Sequence, residues 1–167
     1  MRTISLYLVR HGLAGERGSE WPDDSKRPLV PRGVARLRKE AAALRKLAIA
    51  FDAILTSPLT RAKQTADVFA AGLSPHPPVH VIESLSPGGS YATFLADLEK
   101  HAKRSHVACV GHEPDLGHFA GRLIGAKAPV EFKKGAICLI DLDALPPGGP
   151  GHLRWFVTPR MLRQIAG

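Results

Sequence analysis

The residues of this chain that are best suited to catalysis lie in four short segments, far apart in the sequence. These segments are RHG at 10–12, SPLTR at 57–61, the glutamate of VIESLSP at 83 and GHEP at 111–114. Arginine forms bidentate contacts with phosphate or carboxylate, and a neutral imidazole can act as a nucleophile. No acidic residue adjoins Arg10 or Arg61 in the sequence. The segments therefore predict an anion-binding site, best suited to the tetrahedral dianion of a phosphoryl group.

Each of the four segments follows a stretch with the pattern of a buried strand, and helical patterns fill the intervals. The predicted strands are 4–9, 53–56, 79–82, 106–110, 136–142 and 153–157, and the predicted helices are 31–47, 59–71, 91–103 and 114–124. This alternation predicts an α/β fold, a three-layer α/β/α sandwich with a mostly parallel sheet and a terminal antiparallel strand. We find no linker that divides the chain, so we expect a single domain over residues 1–167. Ligands of open parallel sheets bind outside the carboxyl ends of the strands, so the four segments should meet at one edge.

Five residues have expected roles in this site. The nearby arginines disfavour protonation of His11, which we expect to be a neutral nucleophile. Arg10, Arg61 and His112 are expected to hold the phosphoryl oxygens and to stabilise their charge. Gly12 is expected to permit a sharp turn and to leave room for the incoming group.

Other candidates have both a functional and an ordinary interpretation. Glu83 is the carboxyl best placed to donate a proton to the leaving group, or it is a solvated residue at a strand end. Ser57 and the backbone of Glu113 adjoin helix N-termini that could bind phosphate, whereas Ser57-Pro58 is also a common helix cap. The loop of residues 14–28 is either a mobile connection or a wall of the pocket.

Composition and spacing exclude several other classes of protein. The chain has 167 residues, 44% of them hydrophobic, and its apolar runs are too short to cross a membrane. The net charge of +8 is scattered and suggests an anionic partner, without a pattern for specific nucleic-acid binding. Cys109 and Cys138 lie in apolar runs and are expected to be reduced thiols of a cytoplasmic protein without a targeting signal. In HEPDLGH (112–118), Leu116 stands where a zinc protease needs its second histidine, so we predict neither a metal nor a cofactor.

Three ordered motifs, LVRHG, SPLTRAKQTA and VGHEP, resemble those of the histidine phosphatase (phosphoglycerate mutase-like) superfamily. Within it, the chain is most similar to the SixA-type phosphohistidine phosphatases in its short length and in three further segments. These are RPLVPRG (27–33), KKGAICLIDLD (133–143) and LRWFVTPRML (153–162). The resemblance implies a phosphohistidine intermediate at His11, with Arg10, Arg61 and His112 around the phosphate.

The resemblance also implies a type of substrate. Residues 84–106 leave room for one helix, and not for the helical insertion that roofs the pocket in mutases and acid phosphatases of the superfamily. An unroofed pocket suits a phosphorylated side chain of another protein, such as a histidine phosphotransfer domain in signal transduction. The alternatives are a small-molecule phosphomonoesterase, a phosphoglycerate mutase-like enzyme, and a non-catalytic phosphoprotein-binding module. SixA-type members do not all keep an equivalent of Glu83, since phosphohistidine has a good leaving group.

Overall fold

A six-stranded mixed sheet forms the centre of the protein, described here over residues 2–167 in a computed structural model. The strands are β1 (Ile4–Arg10), β2 (Ala53–Thr56), β3 (Val79–Val81), β4 (His106–Gly111), β5 (Ile137–Leu142) and β6 (His152–Val157). Their order across the sheet is β3-β2-β4-β1-β5-β6. The first four strands are mutually parallel, β5 pairs antiparallel with β1, and β6 pairs antiparallel with β5. The predicted antiparallel pair near the end of the chain is confirmed.

Within residues 2–167, five α-helices cover the two faces of this sheet. They are α1 (Pro31–Lys46), α2 (Thr60–Gly72), α3 (Tyr91–Glu99), α4 (Asp115–Leu123) and α5 (Pro159–Ala166). α1 packs against both α2 and α5 on one face. On the other face α3 and α4 meet through the stacked rings of Phe94 and Phe119, whose centroids are 4.8 Å apart. The predicted three-layer α/β/α sandwich is confirmed.

The side chains of β1 alternate between the two cores. Leu6 and Leu8 pack with α3 and α4, whereas Tyr7 and Val9 pack on the face that α1 and α2 cover. A strand that is buried on both faces reads as a nearly continuous apolar run, which is typical of parallel sheets between helices. Because β2, β4 and β1 are neighbours and parallel, their carboxyl ends open on the same side of the molecule.

Two helices differ from the sequence prediction. α3 ends at Glu99 rather than at residue 103, because residues 100–104 continue as turns with hydrogen bonds between residues three apart. α5 was not predicted, although Thr158 caps it by accepting from the Met161 N–H and proline occupies its first turn. α5 is only eight residues long and buries only Leu162, although Leu162, Ile165 and Ala166 are spaced as one helical face.

The connection between β3 and β4 is short, as expected. It contains a 3-10 turn at Glu83–Leu85 and the nine-residue helix α3. No large helical insertion stands over the carboxyl ends of the strands in the described chain. In residues 2–167, no helix has the length and apolar character required to cross a membrane.

Candidate active site

Three neighbouring strands deliver three of the predicted site segments to one place. The His11 N–H donates to the Gly111 carbonyl at the end of β4, at 3.1 Å, and the Ser57 N–H donates to the Val110 carbonyl at 3.0 Å. Arg10 and Gly111 are paired residues of β1 and β4. These backbone bonds hold the ends of β1, β2 and β4 together, so that the side chains that follow them converge.

A cavity of about 880 Å³ opens at this convergence. Arg10, His11, Arg61, His112 and Glu113 all line it. Residues of the loop 14–28 form another part of its wall. The structure thus brings together five of the residues that the sequence singled out.

His11 is held as a neutral imidazole with a defined tautomer. Its side chain is 5% exposed, and Nδ1 lies 2.8 Å from the Gly12 carbonyl oxygen. Since a carbonyl can only accept, Nδ1 carries the hydrogen and Nε2 keeps its lone pair. Burial lowers the pKa of His11 to about 3, and His112, Arg61 and Arg10 add to this effect against the opposing Gly12 hydrogen bond. His11 is therefore unprotonated at neutral pH.

The two arginines are oriented by contacts at one end of each guanidinium group. Arg10 Nη1 donates to the Phe132 carbonyl at 2.7 Å. Arg61, only 2% exposed, donates from Nη1 to the Asp24 carbonyl at 2.9 Å and from Nη2 to Asp24 Oδ2 at 3.0 Å. Among residues 2–167 the Nε atom of each arginine is buried and has no hydrogen-bond partner.

His112 is fixed in a similar way. Its Nε2 lies 2.7 Å from Ser57 Oγ, its ring centroid is 5.1 Å from that of His11, and its buried Nδ1 has no partner in the described chain. Burial lowers the pKa of His112 to about 4, with Arg61 as the next cause. Ser57 Oγ also accepts from the Leu59 N–H at 3.2 Å. A serine that accepts from Leu59 can donate to Nε2 of His112, which leaves the His112 hydrogen on Nδ1.

Ser57 and Gly12 lie behind the cavity rather than in its wall. Ser57 is fully buried against His112, so its contact is with the histidine that lines the cavity. The Gly12 N–H donates to Thr65 Oγ1 at 3.0 Å, and a Cβ at position 12 would lie 2.6 Å from Leu37 Cδ1. The expectation that Gly12 leaves room for the incoming group was wrong, because the space beside Gly12 is filled by Leu37.

Glu83 does not reach the cavity, which corrects the expectation for the proton donor. It is exposed in the turn after β3, and its carboxylate accepts from Ser86 Oγ at 3.3 Å. The turn that follows β3 does reach the cavity, but through Pro87, four residues after Glu83.

Glu113 lines the cavity and also braces it. Its Oε1 accepts from the Gly117 N–H at 2.8 Å, and its Oε2 accepts from the Phe132 N–H at 3.4 Å. The carbonyl of the same Phe132 accepts from Arg10. Glu113 therefore helps to position the segment that orients Arg10, a side-chain role that the sequence did not suggest.

The loop 14–28 supplies cavity residues that the sequence left undecided. Asp24 accepts from both Arg61 and the buried Arg27, whose Nε lies 2.9 Å from Asp24 Oδ1. Arg27 also donates to the Gly15 carbonyl, which ties the two ends of the loop together. Burial alone would raise the pKa of Asp24, but the Arg27 hydrogen bond and the two guanidinium charges lower it overall. In the sequence, the three-residue spacing of Asp24 and Arg27 is the feature that could have indicated this ion pair.

Lys134, which the sequence did not single out, also lines this cavity. Its pKa is lowered by burial and then by Arg10, Arg27, Arg17 and Arg61. The cavity thus holds a dense set of cations, as an anion-binding site requires.

Comparisons with known proteins agree with this geometry. Residues 6–86 match the histidine phosphatase superfamily (branch 1). An uncharacterized protein of Picosynechococcus sp. is 44% identical over 120 residues, which cover 70% of this chain and 71% of that protein.

Two solved structures of phosphatases are similar to this one. The protein histidine phosphatase SixA in complex with tungstate has a TM-score of 0.84 and 27% identity, covering 95% of this chain and 99% of that one. An α-ribazole-5′-phosphate phosphatase described from Escherichia coli has a TM-score of 0.72 and covers 93% and 97% of the two chains, but its 20% identity shows only a common fold. From its sequence motifs, its fold and these relatives, the chain belongs to the histidine phosphatase superfamily and is a phosphatase.

Proposed function

We propose that this phosphatase works without a cofactor, through a covalent phosphohistidine on His11, and acts on phosphohistidine of a partner protein. One observation carries the covalent mechanism: His11 lines the cavity with Nδ1 held at the Gly12 carbonyl, so that Nε2 keeps its lone pair. Three buried nitrogens without partners in residues 2–167, Nε of Arg10, Nε of Arg61 and Nδ1 of His112, belong to side chains that line one cavity with His11. Buried donors are normally hydrogen-bonded, so this set is suited to the oxygens of a phosphoryl group.

The proposed reaction has two steps. In the first, the Nε2 lone pair of His11 attacks phosphorus, the bond from phosphorus to the leaving group breaks, and the leaving group keeps that electron pair and takes a proton from solvent. In the second, water attacks phosphorus, the bond from phosphorus to Nε2 breaks and returns its electron pair to Nε2, and the attacking water releases a proton to solvent as inorganic phosphate departs. Arg10, Arg61 and His112 stabilise the negative charge on the transferring oxygens in both steps.

The carboxylates of the cavity favour phosphohistidine as the substrate. Asp24 is engaged by two arginines and Glu113 by two backbone N–H groups, which leaves Glu16, an exposed residue, as the third carboxylate of the wall. An alkyl phosphate needs an acid to protonate its alkoxide. The imidazole of phosphohistidine is a better leaving group, so a pocket with few available acids suits it.

The open approach to the cavity supports a protein substrate. No large insertion stands between β3 and β4, so a phosphorylated side chain of a histidine phosphotransfer domain could enter from solvent. Both cysteines are free and buried, which fits our proposal of a reducing cytoplasmic compartment.

A small phosphomonoester is the second candidate substrate. The observation that favours it is the wall formed by the loop 14–28, whose Trp21 and Arg27 line the cavity beside Arg61. Such a wall could enclose a small molecule. A mutase would need a site closed to water, which this short chain provides less readily.

Labelling with an alkaline detergent quench tests the covalent mechanism. Reaction with ³²P-labelled phosphohistidine protein should leave label on the native chain that is stable in base and lost in acid, and none on His11→Ala. Hydrolysis that survives in His11→Ala at the native rate would overturn the mechanism. If the labelled chain forms only with sugar phosphates or phosphoglycerates, the mechanism stands and the proposed substrate is wrong. Binding of phosphoprotein without any turnover would instead favour a binding module.

A further inference from the structure

Glu40 is a buried carboxyl group outside the catalytic cavity. It lies on α1 and is 1% exposed. Its Oε1 is 3.9 Å from Arg163 Nη1, and its Oε2 has no hydrogen-bond partner in residues 2–167. Buried carboxylates are normally paired or hydrogen-bonded, so this group lacks the contacts that would explain its place.

Burial also decides the protonation state of this group. It raises the pKa of Glu40 to about 9, against the opposing charges of Arg163 and Arg36. At neutral pH the side chain is therefore a carboxylic acid with an O–H donor. A donor in this position needs an acceptor, and an anionic oxygen is the strongest kind.

A second cavity, of about 270 Å³, has Glu40 in its wall. The charged side chains that line it with Glu40 are Arg36, Arg163, Lys133 and Lys134. Four cations and one carboxylic acid surround a space large enough for a small acid. Gly12 and Gly33 also form part of the wall.

We propose that this second cavity binds a small oxyanion, a carboxylate or a phosphate, between Arg36 and Arg163. One oxygen of the ligand accepts from the Glu40 carboxyl group, and the others pair with the arginines. The site adjoins the phosphoryl cavity, with which it shares Leu13 and Lys134, but Glu40, Arg36 and Arg163 line only the second cavity.

The position of the site gives it a route to the nucleophile. Gly135 packs directly against Glu40, since a Cβ at position 135 would lie 2.7 Å from Glu40 Oε1. The Gly135 N–H donates to the carbonyl oxygens of both Arg10 and His11, each at 3.1 Å. An anion bound at Glu40 therefore adjoins the backbone that carries His11, and Gly135 should report its binding.

Titration of the ¹⁵N-labelled full chain with inorganic phosphate, followed by NMR, tests the proposal without measuring turnover. Two sets of amide shifts are expected, one around His11 and Arg61 and the other around Gly33 and Gly135. The double variant Arg36→Gln/Arg163→Gln should weaken the second binding event at least about tenfold and leave the first unchanged. Arg61→Gln should do the reverse. A loss of the first set alone would count against the phosphoryl pocket and not against the second site.

Glu40 variants and other salts complete the test. Glu40→Gln keeps a donor of the same shape and should retain the second event, whereas Glu40→Ala should weaken it. A second titration with sodium acetate gives an apparent affinity from the shift of the Gly135 amide. Tighter binding of acetate than of phosphate indicates a carboxylate ligand, and the reverse indicates a phosphate ligand. The proposal is overturned if sodium chloride at matched ionic strength produces the same shifts. It is equally overturned if the second set is absent, or unchanged in a folded Arg36→Gln/Arg163→Gln variant.

Discussion

The centre and the edge of the sheet present chemically similar residues with different outcomes. β1 is followed by His11 and β2 by Ser57, both buried at one cavity. β3 carries His80 and is followed by Glu83 and the buried Ser84, and none of these three lines that cavity. The difference lies in the path of the chain after each strand, because the turn after β3 reaches the cavity through Pro87, whereas Glu83 stays exposed outside it. A residue at a strand end is useful for catalysis only when the turn that follows brings its side chain into the site.

The largest difference between the centre and the edge should appear in a pair of histidine variants. His11→Ala should lower kcat/KM at least about 10³-fold, because the nucleophile is lost. His80→Ala, on the edge strand, should leave kcat/KM within about twofold, as it is not placed at the reacting group. Steady-state kinetics with a phosphohistidine protein measures both, and equal losses would contradict the assignment of the centre as the active site.

Arg61→Gln should have the next largest effect. Loss of one preorganised charge on the transferring oxygens should lower kcat/KM by about 10²- to 10³-fold. Arg38→Gln, on the exposed surface of α1, serves as the matched control and should have no effect. Single-turnover kinetics should show that Arg61→Gln lowers the rate constant of the phosphoryl-transfer step. A loss confined to substrate binding would contradict the role proposed for Arg61.

A pair of buried serines sharpens the same comparison. Ser57 Oγ contacts His112 and Ser84 Oγ contacts Asp97, both at 2.7 Å. Each change to alanine should destabilise the fold by about 1 kcal/mol, which denaturant unfolding measures. Only Ser57→Ala should also lower kcat, by about tenfold, because it removes the contact that fixes the tautomer and the orientation of the His112 ring. Similar kcat values for the two variants would show that Ser57 has only a structural role.

The pH dependence of stability should show that His11 is buried in its neutral form. The folded pKa of His11 is about 3, below the value of about 6.5 for an unfolded histidine. As pH falls, His11 therefore takes up a proton in the unfolded chain at a higher pH than in the folded chain. The free energy of unfolding should decrease as pH falls from about 6.5 towards 3. Denaturant unfolding from pH 4 to 8 should show a shallower slope for His11→Gln than for the native chain. An unchanged slope in His11→Gln would contradict the lowered pKa.

The smallest effect is expected for the glutamate at the edge. Glu83→Gln should leave kcat and KM within about twofold, since the carboxylate is exposed and lies outside the cavity. Glu113→Gln should reduce kcat, because Glu113 braces the Phe132 segment that orients Arg10. The kcat and KM values of both variants are measured with a phosphohistidine protein and with phosphomonoesters. A large loss for Glu83→Gln would restore it as the proton donor and imply movement of the turn after β3.

Much of the fold and part of the site could be predicted before the structure. The pattern around β1, β2 and β4 is strong because these strands are apolar on both faces and end at glycine, proline or charged residues. α5 was missed because it is only eight residues long, although Leu162, Ile165 and Ala166 have helical spacing and proline occupies its first turn. The expectation for Glu83 was wrong because local sequence does not reveal which residue of the turn after β3 lines the cavity.

The sequence by itself determined the α/β alternation and the chemical types in the site, because both depend on local patterns of apolar and charged residues. Tertiary structure decided which of these residues meet. It placed Asp24 on Arg61, Ser57 behind His112 and Glu40 in a second cavity. These contacts join residues 37, 55 and 123 positions apart, the last from Glu40 to Arg163. Only the packing of strands and helices fixes such distances, since the spacing of residues along a chain carries no direct record of them.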